Sequence, residues 1–254
     1  MMKRERVQFV SDGNRLIGDL YLPREKAPCV VFCHGLASNK DSGKWPVMAR
    51  ALYEQGLACL AFNFRGCGQG DEWSEGDFAD ATLSARIRDY QAALDFLATT
   101  DKVDMEKIGA VGSSLGSCVV VAAGDPRPTA YVVLATPLQI RATPAMLAAL
   151  KEKGYFEYPG ADDPRMSRIS LALIEDMQRY DLAASIKKIT RPVLIIHGSH
   201  DNIPVADAEE LYAQANPPKR LEIIEGGSHA FTDNPEHLQR VVDLSQAWLV
   251  KYLE

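Results

Sequence analysis

Apolar positions in this chain fall into two patterns. Residues 7–10 and 16–22 are short β-prone runs, and Ser11-Asp12-Gly13-Asn14 between them is a turn-forming cluster, so a β-hairpin is predicted at the start. After it come continuous apolar runs: Cys29-Val30-Val31-Phe32-Cys33, Leu57-Ala58-Cys59-Leu60-Ala61-Phe62, Ile108-Gly109-Ala110-Val111, Tyr131-Val132-Val133-Leu134 and Val193-Leu194-Ile195-Ile196. Runs without polar alternation belong to strands covered on both faces, as in a parallel sheet. Leu221-Glu222-Ile223-Ile224 is more mixed and is predicted nearer an edge.

Helical patterns fill the intervals at 45–55, 81–99, 115–123, 206–215 and 236–252. In the second, Leu83, Ile87, Tyr90, Leu94 and Leu97 recur at spacings of three and four and make one apolar stripe. Strands alternating with such helices imply right-handed βαβ units. The predicted fold class is therefore α/β, a mostly parallel twisted sheet of about eight strands with helices on both faces.

One interval departs from this rhythm. Residues 137–191 separate the sixth and seventh predicted strands by 55 positions, more than one crossover helix with its loops requires. Helical stretches at 144–151 and 167–180 flank Tyr155-Phe156-Glu157-Tyr158-Pro159. This insertion is expected to be a cap or lid within one domain spanning 1–254, the alternative being an extra packing layer.

Composition narrows the function classes. With 254 residues and 46% hydrophobic content, the chain suits one sizeable core. A formal charge of −6 without like-charge runs argues against a nucleic-acid partner. Met1-Met2-Lys3-Arg4-Glu5-Arg6 leads into the first strand without the apolar stretch of a secretion signal, and no run suffices to span a membrane, so a cytoplasmic location is expected. Five cysteines, an odd number without a CxxC pair, read as small buried hydrophobes and not as a disulfide framework or metal site.

The candidate chemistry centres on Gly112-Ser113-Ser114-Leu115-Gly116, between a predicted strand and a predicted helix. G-x-S-x-G in that context is a nucleophile elbow: the turn strains its middle residue, the glycines let strand and helix approach, and Ser114 stands exposed above the sheet. Ser113 then points away from the apex. A serine needs a base oriented by an acid. His229, in a Gly- and Ser-rich loop directly after the strand at 221–224, is the predicted base; His237 lies in a helical pattern and reads as surface. Asp201, after the strand at 193–196, is the predicted acid, with Asp207 as a weaker competitor. His197 and His200 flank that loop, but no further ligand set accompanies them, so no metal and no cofactor are expected. Backbone N–H groups of Leu36, after the strand at 29–33, and of Leu115, at the start of a helix, are predicted to form an oxyanion hole, with His34 supporting the first loop.

His34-Gly35, Asn63-Phe64-Arg65-Gly66-Cys67-Gly68, the Gly112–Gly116 elbow, the His197–Asp201 run and the Gly227-Ser228-His229-Ala230-Phe231 loop together resemble the α/β-hydrolase superfamily. Within it the chain is most similar to compact bacterial feruloyl and cinnamoyl esterase-like proteins, also grouped as serine aminopeptidase-type, from about residue 7 to 253 and least over 137–191. Dienelactone hydrolases proper resemble it less, since they carry cysteine at the position of Ser114. The resemblance implies Ser114, Asp201 and His229 as a triad, Leu36 and Leu115 as oxyanion donors, and structural roles for Arg65 and Gly66. It implies a carboxylesterase acting on a small-molecule ester through an acyl-enzyme, with a peptidase or thioesterase on the same triad, or a non-catalytic binding protein on the same fold, as alternatives. Trp45, Tyr155, Phe156 and Tyr158 are the expected lining of a pocket for aromatic or short acyl groups. The oligomeric state is left open, a homodimer among the options.

Overall fold

The structure, a computed structural model, describes residues 2–254. Its main sheet contains β1 (Arg4–Ser11), β2 (Asn14–Tyr21), β3 (Ala27–Cys33), β4 (Ala58–Phe62), β5 (Val103–Ser113), β6 (Pro128–Leu134), β7 (Val193–Gly198) and β8 (Lys219–Ile224). Their spatial order is β1-β2-β4-β3-β5-β6-β7-β8. β2 runs antiparallel to both β1 and β4, and every later neighbouring pair is parallel. All positions of β3, β4 and β7 are buried, whereas β8 at the edge is only partly covered. Apolar continuity in the sequence thus tracks double-sided burial in the sheet.

The helices are α1 (Trp45–Glu54), α2 (Leu83–Thr100), α3 (Leu115–Ala122), α4 (Pro144–Lys153), α5 (Leu171–Met177), α6 (Leu182–Ile186), α7 (Val205–Gln214) and α8 (Pro235–Leu253). They form two layers, and β3 shows the division. Its Cys29, Val31 and Cys33 join a core with the predicted stripe of α2 and with α3 and α7. Val30 and Phe32 face the opposite core, made with Trp45, Met48 and Leu52 of α1 and Val241, Val242, Trp248 and Leu249 of α8. Alternate side chains of one strand therefore anchor helices on both faces. All five cysteines are free and buried.

Residues 137–191 leave the sheet after β6 and contain α4, α5 and α6. Between α4 and α5, Tyr155–Glu157 and Arg168–Ser170 pair as a short antiparallel ladder. The helix predicted over 167–180 begins only at Leu171. Ser170 caps it by accepting from the Leu173 N–H, and the preceding Ile169 is buried opposite Phe156, so strand pairing wins over helix extension there. The segment is tied down by Asp176, which accepts from the Ser84 N–H and hydroxyl at 2.7 Å each. Among the described residues no helix is long and apolar enough to cross a membrane.

Candidate active site

β5 ends at Ser113 and α3 starts at Leu115, which leaves Ser114 alone to turn the chain. It does so at φ +54° and ψ −123°, a conformation that costs a non-glycine residue about 1–3 kcal/mol. Its N–H donates to the Leu134 carbonyl at 2.8 Å, so β6 holds the strained turn. The flanking glycines have a steric cause. A Cβ on Gly112 would lie 2.5 Å from the Gly116 oxygen, and one on Gly116 would lie 1.9 Å from the Cys33 oxygen. Strand, helix and β3 meet too closely there for any side chain.

Asp201 and His229 come from loops that lace together beyond β7 and β8. Ser199 and His200 donate their N–H groups to the Ile224 and Gly227 carbonyls, and the Gly226 N–H donates to Ser199 Oγ at 2.8 Å. Across this seam His229 Nδ1 lies 2.9 Å from both Asp201 carboxylate oxygens. The Asp201 side chain is fully buried, and Oδ1 also accepts the Ile203 N–H at 2.8 Å. His197 is packed at the end of β7, its Nε2 donating to the Ile203 carbonyl, which fixes the same loop. Asp207 is committed elsewhere, bound by both terminal nitrogens of Arg141 and by the Leu138 N–H.

Ser114 and His229 line one cleft of about 620 Å³. Among the described residues the Ser114 hydroxyl makes no hydrogen bond, to the imidazole or otherwise. Contacts of this type commonly tighten only when substrate arrives. Gly35 lies against the nucleophile, so close that a Cβ on it would stand 3.3 Å from that of Ser114. The neighbouring Leu36 N–H and the Leu115 N–H at the start of α3 find no acceptor among the described residues. Two main-chain donors close in sequence to Gly35 and Ser114 are thus uncommitted among the described residues, and free donors of this kind can stabilise an oxyanion that forms within their reach.

His34 is buried beneath that loop. The Phe64 N–H donates to its Nε2 at 3.2 Å, so Nδ1 carries the proton and donates to the Gly35 carbonyl at 2.9 Å. Burial, helped by the nearby charge of Arg86, pushes its pKa from 6.5 down to about 3. An unfolded chain protonates this histidine between those values while the folded one does not. Stability from His34 is therefore complete above about pH 6.5 and is lost as the pH falls, by at most about 1.4 kcal/mol per pH unit. Chemical denaturation between about pH 4.5 and 7.5, above the usual carboxylate range, should reveal this slope, and His34→Asn should flatten it. An unchanged slope in the variant would remove His34 as its source.

The residues expected to form an aromatic pocket separate. Trp45 and Tyr158 line the cleft, although Trp45 is almost wholly buried and stacks on Phe32 with ring centres 5.2 Å apart. Tyr155 and Phe156 lie outside the cleft lining. Strand alternation divides them: Phe156 packs against the main core, while the Arg168 guanidinium covers the Tyr155 ring at 4.6 Å. The lining is more polar than expected, with Ser38, Ser42, Lys44, Gln139, Arg141, Asp162, Asn202 and Thr232 contributing. Lys44 and Arg141 escaped the sequence reading because nothing local distinguishes them from solvent-facing cations.

A second group that sequence reasoning missed is the convergence of Asp19, Asp41 and Glu72. The buried Lys40 ammonium sits among these carboxylates at 2.5, 2.5 and 2.7 Å and takes the place a cation would have. Its backbone N–H donates to Asn63 Oδ1, so the network steadies the loop that carries Leu36.

Fold and cleft together define a hydrolase of the α/β type. The model of the alpha/beta hydrolase family matches residues 30–244, and the chain belongs to that family. It is 32% identical over 239 residues to the uncharacterized protein Rv2307c of Mycobacterium tuberculosis, covering 92% of this chain and 74% of the relative. It is 29% identical over 242 residues to the uncharacterized protein YfhR of Escherichia coli, covering 90% and 75%. Among solved structures it is similar to Est1E of Butyrivibrio proteoclasticus, bound to ferulic acid, with a TM-score of 0.80, 21% identity and coverage of 97% and 98%.

Proposed function

We propose that this protein is a serine hydrolase that cleaves small carboxylic esters. Ser114 Oγ attacks the ester carbonyl while His229 takes its proton, and the carbonyl oxygen gains negative charge against the Leu36 and Leu115 N–H groups. Collapse of that intermediate breaks the bond to the alcohol oxygen, which leaves with the proton from His229. Water, deprotonated by the same imidazole, then releases the acid and restores Ser114. Asp201 holds the His229 ring in the tautomer whose Nε2 can accept. The reaction needs no cofactor.

The observation that carries this reading is the strained Ser114 in one cleft with the His229–Asp201 pair and two unpaired main-chain N–H groups. Residues 137–191 act as a cap in this proposal, because Gln139, Ile140, Arg141, Tyr158, Gly160 and Asp162 from that segment line the cleft. The ferulic acid bound to Est1E supports aromatic acyl groups as a place to begin, beside short ones. A series of p-nitrophenyl esters of increasing chain length is expected to show hydrolysis at the short end, with kcat/KM falling as the chain lengthens. Failure on every short ester would overturn the assignment.

A further inference from the structure

Lys44 stands immediately before α1 and is only 7% exposed. Its ammonium donates one hydrogen bond, to Ser113 Oγ at 3.1 Å, and no carboxylate among the described residues forms an ion pair with it. Two of its three donors are therefore uncommitted. A buried charge is retained at low cost only when it is paired, and the Trp45 ring, 5.5 Å away, is a weak substitute for a counter-ion. α1 begins with no acidic residue in its first turn and no side-chain cap, which adds positive potential at the same end.

The side chain lines the cleft that holds Ser114 and His229. The other charged groups there each have a hydrogen-bond partner. Arg141 is bound to Asp207, Asp162 is exposed and accepts from Asn39 Nδ2 at 3.2 Å, and Asp201 is occupied by His229 and the Ile203 N–H. Lys44 is left, among the described residues, as a buried cation of the cleft with no carboxylate at ion-pair distance, bonded to the residue next to the nucleophile.

We propose that Lys44 binds a carboxylate on the acyl chain of the substrate, so that the preferred esters are hemiesters of short dicarboxylic acids. This inference rests on the hydrolase reading and names its substrate class. An ester whose acyl chain ends in a carboxylate would supply the missing counter-ion while Ser114 attacks its other end. Burial pushes the Lys44 pKa down to about 8, against the charges of Asp162 from the insertion and Asp201 from the loop after β7, which act to raise it. The neighbours from its own loop, α1 and the elbow, namely Ser42, Trp45 and Ser113, are uncharged. The preference for an anionic acyl chain should accordingly fade as the pH rises through that value.

Monoethyl succinate and monoethyl glutarate, compared with ethyl butyrate and ethyl pentanoate, separate charge from chain length. The hemiesters are expected to show kcat/KM about tenfold to a hundredfold higher, the worth of one charge-assisted hydrogen bond. Lys44→Met should collapse that ratio toward one, and Lys44→Arg should keep part of it. A ratio unchanged by Lys44→Met, or an equal loss on both ester classes, would overturn the proposal. Should Lys44→Met fail to fold, product inhibition of the unmodified enzyme decides: glutarate must inhibit more strongly than pentanoate, and equal inhibition refutes the carboxylate site. An enzyme that cleaves neither class and resists fluorophosphonate labelling would instead defeat the hydrolase reading itself.

Discussion

Ser114→Ala is expected to lower ester hydrolysis by on the order of a million-fold and to abolish labelling by a fluorophosphonate, while the fold persists. The residual rate would come from the oxyanion donors and the binding cleft, which the substitution leaves in place. Alanine retains the Cβ that makes φ +54° costly, so stability should change little. Ser114→Gly, equally inactive, tests the strain directly. It should gain about 1 kcal/mol in chemical denaturation, because glycine adopts this backbone freely, less the entropy it adds to the unfolded chain. Activity surviving Ser114→Ala would show that the nucleophile is another residue. The neighbouring Ser113 is a poor substitute, buried and bonded to Lys44.

Asp201→Asn should cost about ten-thousand-fold in kcat with little change in stability. The reason lies in how its two oxygens are used. Oδ1 accepts the Ile203 N–H at 2.8 Å, an acceptor role that the asparagine oxygen must keep. The amide nitrogen then takes the other position, which also faces His229 Nδ1 at 2.9 Å. Donating to Nδ1, it favours the imidazole tautomer with the proton on Nε2, and that ring cannot accept from Ser114. Measured on an activated ester, KM should stay close to its original value. A loss below tenfold would mean that the carboxylate does not orient His229.

Much of the candidate site was legible because its geometry is imposed locally. The Gly112 and Gly116 spacing follows from contacts too short for a side chain, and the elbow is recognisable wherever a strand and a helix flank it. Ser114, Asp201 and His229 each follow a strand of the same parallel sheet, so sequence order and strand ends alone bring them to one rim. Nothing comparable marks Tyr155 and Phe156, which look alike in sequence but are sent to different surroundings by a short ladder with Arg168–Ser170.

Hydrophobic continuity, glycine spacing and the order of strand and helix thus determined the sheet, its two helical layers and the position of the elbow, because these depend on period and on steric limits within short stretches of chain. Tertiary structure alone decided which charges are buried and what answers them. Lys40 meets Asp19 and Glu72 from distant strands and loops, while Lys44, four residues later, hydrogen-bonds to Ser113 and forms no ion pair among the described residues. Both are ordinary lysines in the sequence. Coulombic pairing and desolvation depend on the full three-dimensional surroundings of a group, and no periodic pattern along the chain encodes them.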